Sequence, residues 1–168
     1  AGVPLPAAQV ITWLGQVCEA LTYLHSQHPP IIHRDIKPGN IKITLQGEAM
    51  LVDFGLAKVY DPNLKTTQGA RGATPGFTPF EQYGQGSTDA RTDVYALGAT
   101  AYYLLTAQEP VESIKRLQGV PLPPPRSFNP QISPPVEQVI LEAMEVYAED
   151  RYATAAEFKA SLLLTSST

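Results

Sequence analysis

Val10, Leu14, Val17, Cys18, Leu21 and Leu24 recur at helical spacing, which predicts an amphipathic helix over about residues 7–26 with this stripe facing the core. Pro6 suits its first turn. After the Pro29-Pro30 break the period changes: residues 41–44 and 49–52 read as two short strands, and Gln46-Gly47 supplies the turn that folds them into a hairpin. Residues 56–76 are rich in Gly, Thr, Pro and Asn with little periodicity, and read as a long mobile loop. A second helix is expected to open at Thr92-Asp93 and to run through Leu97, Ala101, Leu104 and Leu105, apolar on most faces as a central buried helix would be. Beyond a proline-rich stretch at 119–135, helical periodicity resumes over 136–147 and 154–164. The pattern predicts a mainly α unit over 1–164 with one small β-hairpin, followed by the start of a linker or tail at 165–168.

A length of 168 residues is enough for one domain with a sizeable core. The net charge of −4, with Lys and Arg unclustered, gives no reason to expect nucleic-acid or membrane-surface binding. Cys18 is the only cysteine, so no internal disulfide is possible, and a reducing, cytoplasmic setting is expected. No apolar run long enough to span a bilayer is visible; any membrane tether is expected in segments outside this sequence.

Candidate chemistry collects at the hairpin. His33-Arg34-Asp35-Ile36-Lys37-Pro38-Gly39-Asn40 leads into it and Asp53-Phe54-Gly55 leads out, so Asp35, Lys37, Asn40 and Asp53 are expected at one end. An Asp and an Asn that face a common point offer oxygen ligands to a hard cation such as Mg2+. A lysine beside them, Lys37, suits a phosphate, and the second Asp can accept a proton from a hydroxyl.

These motifs resemble the catalytic loop and metal-binding triplet of bacterial, eukaryotic-like serine/threonine protein kinases. Several recur in the family's order. Asn40 follows Asp35 by five residues, residues 72–81 resemble the end of an activation segment, Asp93-Val94-Tyr95-Ala96-Leu97-Gly98 resembles the start of the central helix, and Arg151 stands where the family places a late arginine. The likeness covers about residues 10–163 and implies the C-terminal lobe of the catalytic domain, with ATP and Mg2+ as cofactors and proteins as substrates. It further implies a separate N-terminal lobe carrying the glycine-rich loop and its lysine, which this sequence lacks. By resemblance, Asp35 orients and deprotonates the hydroxyl, Lys37 stabilises the transferring phosphoryl, and Asn40 and Asp53 hold the metal. Thr74 faces the substrate. Thr66 and Thr67 are regulatory phosphorylation sites whose phosphate Arg34 and Lys58 grip. A non-catalytic kinase-like scaffold is the alternative reading, and small-molecule phosphotransferases rank lower because they generally lack a segment like 74–81.

Other notable residues have plainer readings. Trp13 and Cys18 on an amphipathic helix are packing residues, and His25 and His28 are solvated loop residues. The resemblance makes His33 structural, packed near Phe54, and makes Asp93 a structural carboxylate bonded to the catalytic-loop backbone. Glu81 and Arg151 become a buried ion pair. A polyproline ligand at 121–125 is conceivable, but a stiff connection between helices fits better. Two positions depart from the family pattern: Phe80 replaces the usual Pro before Glu81, and Lys42 stands where an apolar residue commonly lies under adenine, with its charged head expected to point outward.

Overall fold

The structure is a computed structural model and describes residues 2–59, 73–84 and 86–167. Helix α1 (Ala7–His25) forms where the periodicity places it, and Val10, Leu14, Val17, Cys18 and Leu21 are all buried. Trp13 stays half-buried and its indole nitrogen donates to the Gly47 carbonyl oxygen at 3.0 Å. Strands β2 (Ile41–Ile43) and β3 (Ala49–Leu51) pair antiparallel, with Ile41 opposite Leu51. Gly47 turns the hairpin at φ +84°, a conformation that an added Cβ would disfavour.

The loop expected over 56–76 is partly a strand. β4 (Lys58–Val59) pairs antiparallel with β1 (Ile31–Ile32), the segment that enters the catalytic loop. Two-residue strands carry no period of their own, so only the tertiary pairing defines them.

Helix α2 (Ala90–Thr106) starts earlier than its apolar run suggests, because Asp89 and Thr92 form a reciprocal capping box. Asp93 therefore sits inside the helix and its carboxylate is free to act elsewhere. Most of α2 is buried, as expected for a central helix. At Gly98 an added Cβ would lie 2.8 Å from Met144 Cγ and 2.9 Å from Ala143 Cβ, so this glycine permits the close crossing of α2 with α4 (Pro134–Ala143). α4 begins at its Ser133 cap and stops short of the expected 147, and the Glu145 and Val146 carbonyls beyond it accept from Arg151 instead. α5 (Ala155–Thr165), capped by Thr154, packs on α1, α2 and α4 to complete the core.

A short helix, α3 (Ser113–Leu117), was not foreshadowed by the pattern. The proline-rich stretch is a strap across α2: Tyr102 Oη donates to the Pro123 carbonyl at 2.8 Å, Asn129 Nδ2 donates to the Leu105 carbonyl at 2.8 Å, and Pro125 is buried. These bonds tie the stretch to α2, as a stiff connection between helices requires, while Pro121 and Pro124 stay exposed. No described helix is long and apolar enough to cross a membrane.

Candidate active site

The catalytic loop hangs from α2. Asp93, fully buried, accepts from the backbone NH of His33 through Oδ2 and from that of Arg34 through Oδ1, both at 2.9 Å. Arg34 adopts φ +69°, a left-handed conformation costing about 1–3 kcal/mol in a residue with a side chain. The two Asp93 bonds and the Gln82 Nε2 bond to the Arg34 carbonyl at 2.8 Å hold it there.

A third partner of Asp93 corrects the sequence reading. His25 is not a solvated loop residue; it ends α1, and its Nε2 lies 2.7 Å from Asp93 Oδ2. The two residues are 68 apart, so no local pattern signals the pair. His33 is buried, as a structural residue should be. Its Nδ1 accepts from the Asp35 NH at 3.2 Å, which leaves Nε2 to donate to the Val52 carbonyl at 3.2 Å. Its ring meets Phe54 edge-on at 5.0 Å.

Asp35 sits half-buried at the mouth of the loop. Asn40 Nδ2 donates to its backbone oxygen at 2.8 Å and to Oδ2 at 3.0 Å, fixing the carboxylate's rotation. Oδ1 turns toward Lys37 Nζ at 3.5 Å and Thr74 Oγ1 at 3.4 Å, and Lys37 Nζ donates to Thr74 Oγ1 at 3.1 Å. A carboxylate, an ammonium and a hydroxyl thus close a triangle at which a substrate hydroxyl and a phosphoryl group can meet.

The Val52 NH donates to the Asn40 carbonyl at 2.9 Å, so the start of the hairpin lies beside its end and Asp53 follows directly. Asp53 is exposed at φ +61°, with Oδ1 accepting from the Gly55 NH at 3.1 Å. Asn40 has spent both amide hydrogens on Asp35, and its Oδ1 carries no hydrogen bond among the described residues. One amide oxygen and one exposed carboxylate fit magnesium, which typically takes one or two protein oxygens and completes its shell with phosphates and water. Lys42 is exposed, in keeping with an outward-pointing head.

Arg34 is 8% exposed, and its Nε is buried with no partner among the described residues. Burial lowers the basicity of its guanidinium, and Asp93 partly offsets that. Lys58 is exposed and pairs opposite Ile32, two residues before Arg34. The strand pairing thus brings the two expected phosphate-gripping cations into one neighbourhood. Thr66 and Thr67 lie outside the described residues.

Glu81 and Arg151 form the buried pair, at 2.6 Å from Nη1 to Oε1 and 3.1 Å from Nη2 to Oε2. Phe80, in the slot usually held by Pro, packs edge-on against Tyr147 at 6.1 Å and leaves that anchor intact. Sequence reasoning missed Arg116, whose Nη1 donates to Tyr95 Oη and to the Met144 carbonyl, tying α3 to the core.

A helical lobe with one hairpin, a loop hung from a buried aspartate, and an Asp-Lys-Thr triangle beside a metal-suited Asn-Asp pair define the C-terminal lobe of a protein kinase. The chain belongs to the protein kinase family: the protein kinase domain profile matches residues 2–161. It is 40% identical over 173 residues to the serine/threonine-protein kinase Pkn1 of Myxococcus xanthus, covering 96% of this chain and 24% of that protein. The serine/threonine-protein kinase PknB of Mycobacterium leprae is 35% identical over 169 residues, covering 95% and 26% respectively. The crystal structure of the Mycobacterium tuberculosis PknI kinase domain superposes with a TM-score of 0.72 at 27% identity, covering 96% of this chain and 57% of that one. The chain therefore spans about a quarter of the length of these curated relatives.

Proposed function

We propose that this chain supplies the catalytic loop and substrate-facing segment of a serine/threonine protein kinase, which transfers the γ-phosphoryl group of ATP to protein hydroxyls. The observation that carries this reading is the Asp35-Lys37-Thr74 triangle, with Asn40 fixing the Asp35 carboxylate. In the reaction, Asp35 Oδ1 receives the incoming hydroxyl where Thr74 Oγ1 now approaches, aligns its oxygen and takes its proton. Lys37 Nζ, beside the same oxygen, stabilises negative charge on the phosphoryl as it transfers. Asn40 and Asp53 would hold magnesium. When bound, that ion neutralises phosphate charge and fixes phosphate orientation. Thr74 also selects serine and threonine by shaping the approach to Asp35.

Regulation follows from Arg34. Its Nε, without a partner among the described residues, and the nearby Lys58 receive a phosphate on Thr66 or Thr67 through new charge-assisted bonds. Mass spectrometry of the active full-length protein is expected to find phosphate on one of the two threonines.

The deciding experiment is Asp35→Asn in the full-length protein, assayed for phosphorylation of a protein substrate. Loss of the base is expected to reduce turnover by about 10²–10⁴-fold while melting stays unchanged. Equal turnover in both proteins would overturn the assignment.

A further inference from the structure

The hairpin that carries the metal-facing pair is a weak element by itself. It has three residue pairs; Leu51 is buried and Ile41 and Ala49 pack against the core, but Ile43, Leu45 and Met50 are exposed, so burial holds the near end better than the turn. Its near end is tied by the Val52 NH bond to the Asn40 carbonyl. Its far end is tied to α1. Trp13 Nε1 donates to the Gly47 carbonyl at the turn, and Gln16 Oε1 accepts from the Ala49 NH at 2.6 Å, along the outer edge of β3. Both side chains come from the side of α1 that faces the hairpin, one as donor and one as acceptor, while neighbouring Leu14 and Val17 root the helix in the core.

We propose that Trp13 and Gln16 are positioning residues for magnesium. From α1 they clamp the hairpin so that Asn40 at its entrance and Asp53 at its exit address one ion. The inference rests on the metal role proposed above for Asn40 and Asp53. Neither clamp residue approaches that pair. They act through the strands between them: a hairpin unclamped at its turn frays from that end, which loosens the Thr44–Glu48 pairing and then the Val52 bond to the Asn40 carbonyl that keeps Asp53 beside Asn40. Because an ion takes both oxygens only in the aligned arrangement, apparent affinity falls in proportion to the aligned fraction. Turnover at saturating magnesium is then largely restored, since binding itself selects the aligned state.

The test uses the full-length protein with Trp13→Phe, which removes the indole NH and keeps an aromatic ring, and Gln16→Leu, which removes the acceptor. Hydrogen exchange without nucleotide reads the clamp directly at the Thr44 and Val52 amides, both hydrogen-bonded in the hairpin. Each substitution is expected to speed their exchange roughly fivefold, and the pair roughly 25-fold, the effect of losing one or two ordinary hydrogen bonds of about 1 kcal/mol each. The magnesium concentration giving half-maximal phosphorylation is expected to rise by roughly the same factors, with melting temperature unchanged. Gln16→Glu keeps an acceptor oxygen and is expected to behave as the parent. Unchanged amide exchange would overturn the inference, as would reduced melting with an unchanged magnesium requirement, which is the signature of a packing role alone. Asp53→Asn serves as the control. If it alters the magnesium requirement and the clamp variants do not, only the clamp fails; if Asp53→Asn leaves the requirement untouched, the metal role itself fails and the clamp with it.

Discussion

Replacing Arg151 by Met is expected to destabilise the protein more than any other single change outside the apolar core. The guanidinium is fully buried and holds both Glu81 oxygens, and it also donates to the carbonyls of Glu145, Val146 and Arg91 at 2.7, 2.8 and 3.1 Å. Its plane lies over the Tyr95 ring, 4.9 Å from the centroid. Removing it strands a buried carboxylate, which costs about 3–5 kcal/mol. Against a typical domain stability of about 5–15 kcal/mol, that is a large fraction, and it corresponds to a drop of about 10 °C in melting temperature. Urea unfolding of four proteins (parent, Arg151→Met, Glu81→Gln and the double variant) separates the charge from the carbonyls. Once Glu81 is neutral its stranded charge is gone, so the double variant is expected to be at least about 1 kcal/mol more stable than the two single losses sum to. The three carbonyls stay unpaired, so it does not return to the parent's stability. Strict additivity, or a loss below about 1 kcal/mol for Arg151→Met, would refute the view that this pair anchors the segment carrying Glu81 to the late helices.

Gly98→Ala is expected to cost about 1–3 kcal/mol by forcing α4 off α2, visible as a lower urea midpoint, and an unchanged midpoint would contradict the crossing. Burial pushes the Cys18 thiol up from 9.0 to about 12, so the folded state keeps a proton that the unfolded chain gives up. Stability from this group is complete below about pH 9 and declines above it; the parent should lose about 1 kcal/mol more than Cys18→Ala between about pH 8 and about pH 10. The 168-residue segment studied by itself, which leaves Phe54, Met50 and Ile43 exposed, is expected neither to bind Mg-ATP tightly nor to transfer phosphate. Calorimetric titration showing micromolar affinity would refute this.

The apolar stripe of α1 and the turn at Gly47 were legible because their signals lie within a few residues of one another. The Asp35, Lys37, Asn40 and Asp53 cluster was legible by family resemblance and by its tight spacing around one hairpin. Less visible were contacts that join distant segments. Nothing near His25 announces Asp93, and Lys58 becomes a strand residue only because Ile32 lies beside it. The true start of α2 was readable in principle: Asp89 and Thr92 have capping-box spacing, but the apolar run drew the boundary inward. Trp13 was taken as a packing residue because helical periodicity reports which face is buried and says nothing about where an indole NH points.

Asp93 gives the molecule a division of labour. The carboxylate that sets the catalytic loop belongs to the most deeply buried helix, whereas Thr74, Phe80 and Tyr147 stand on segments nearer the surface. Substitutions at Phe80 or Tyr147 leave untouched the Asp93 bonds from which the loop carrying Asp35 hangs, whereas Thr74 contacts Asp35 and Lys37 directly. The surface around Phe80 and Tyr147 can therefore vary while the loop keeps its shape, because the two are rooted in different places.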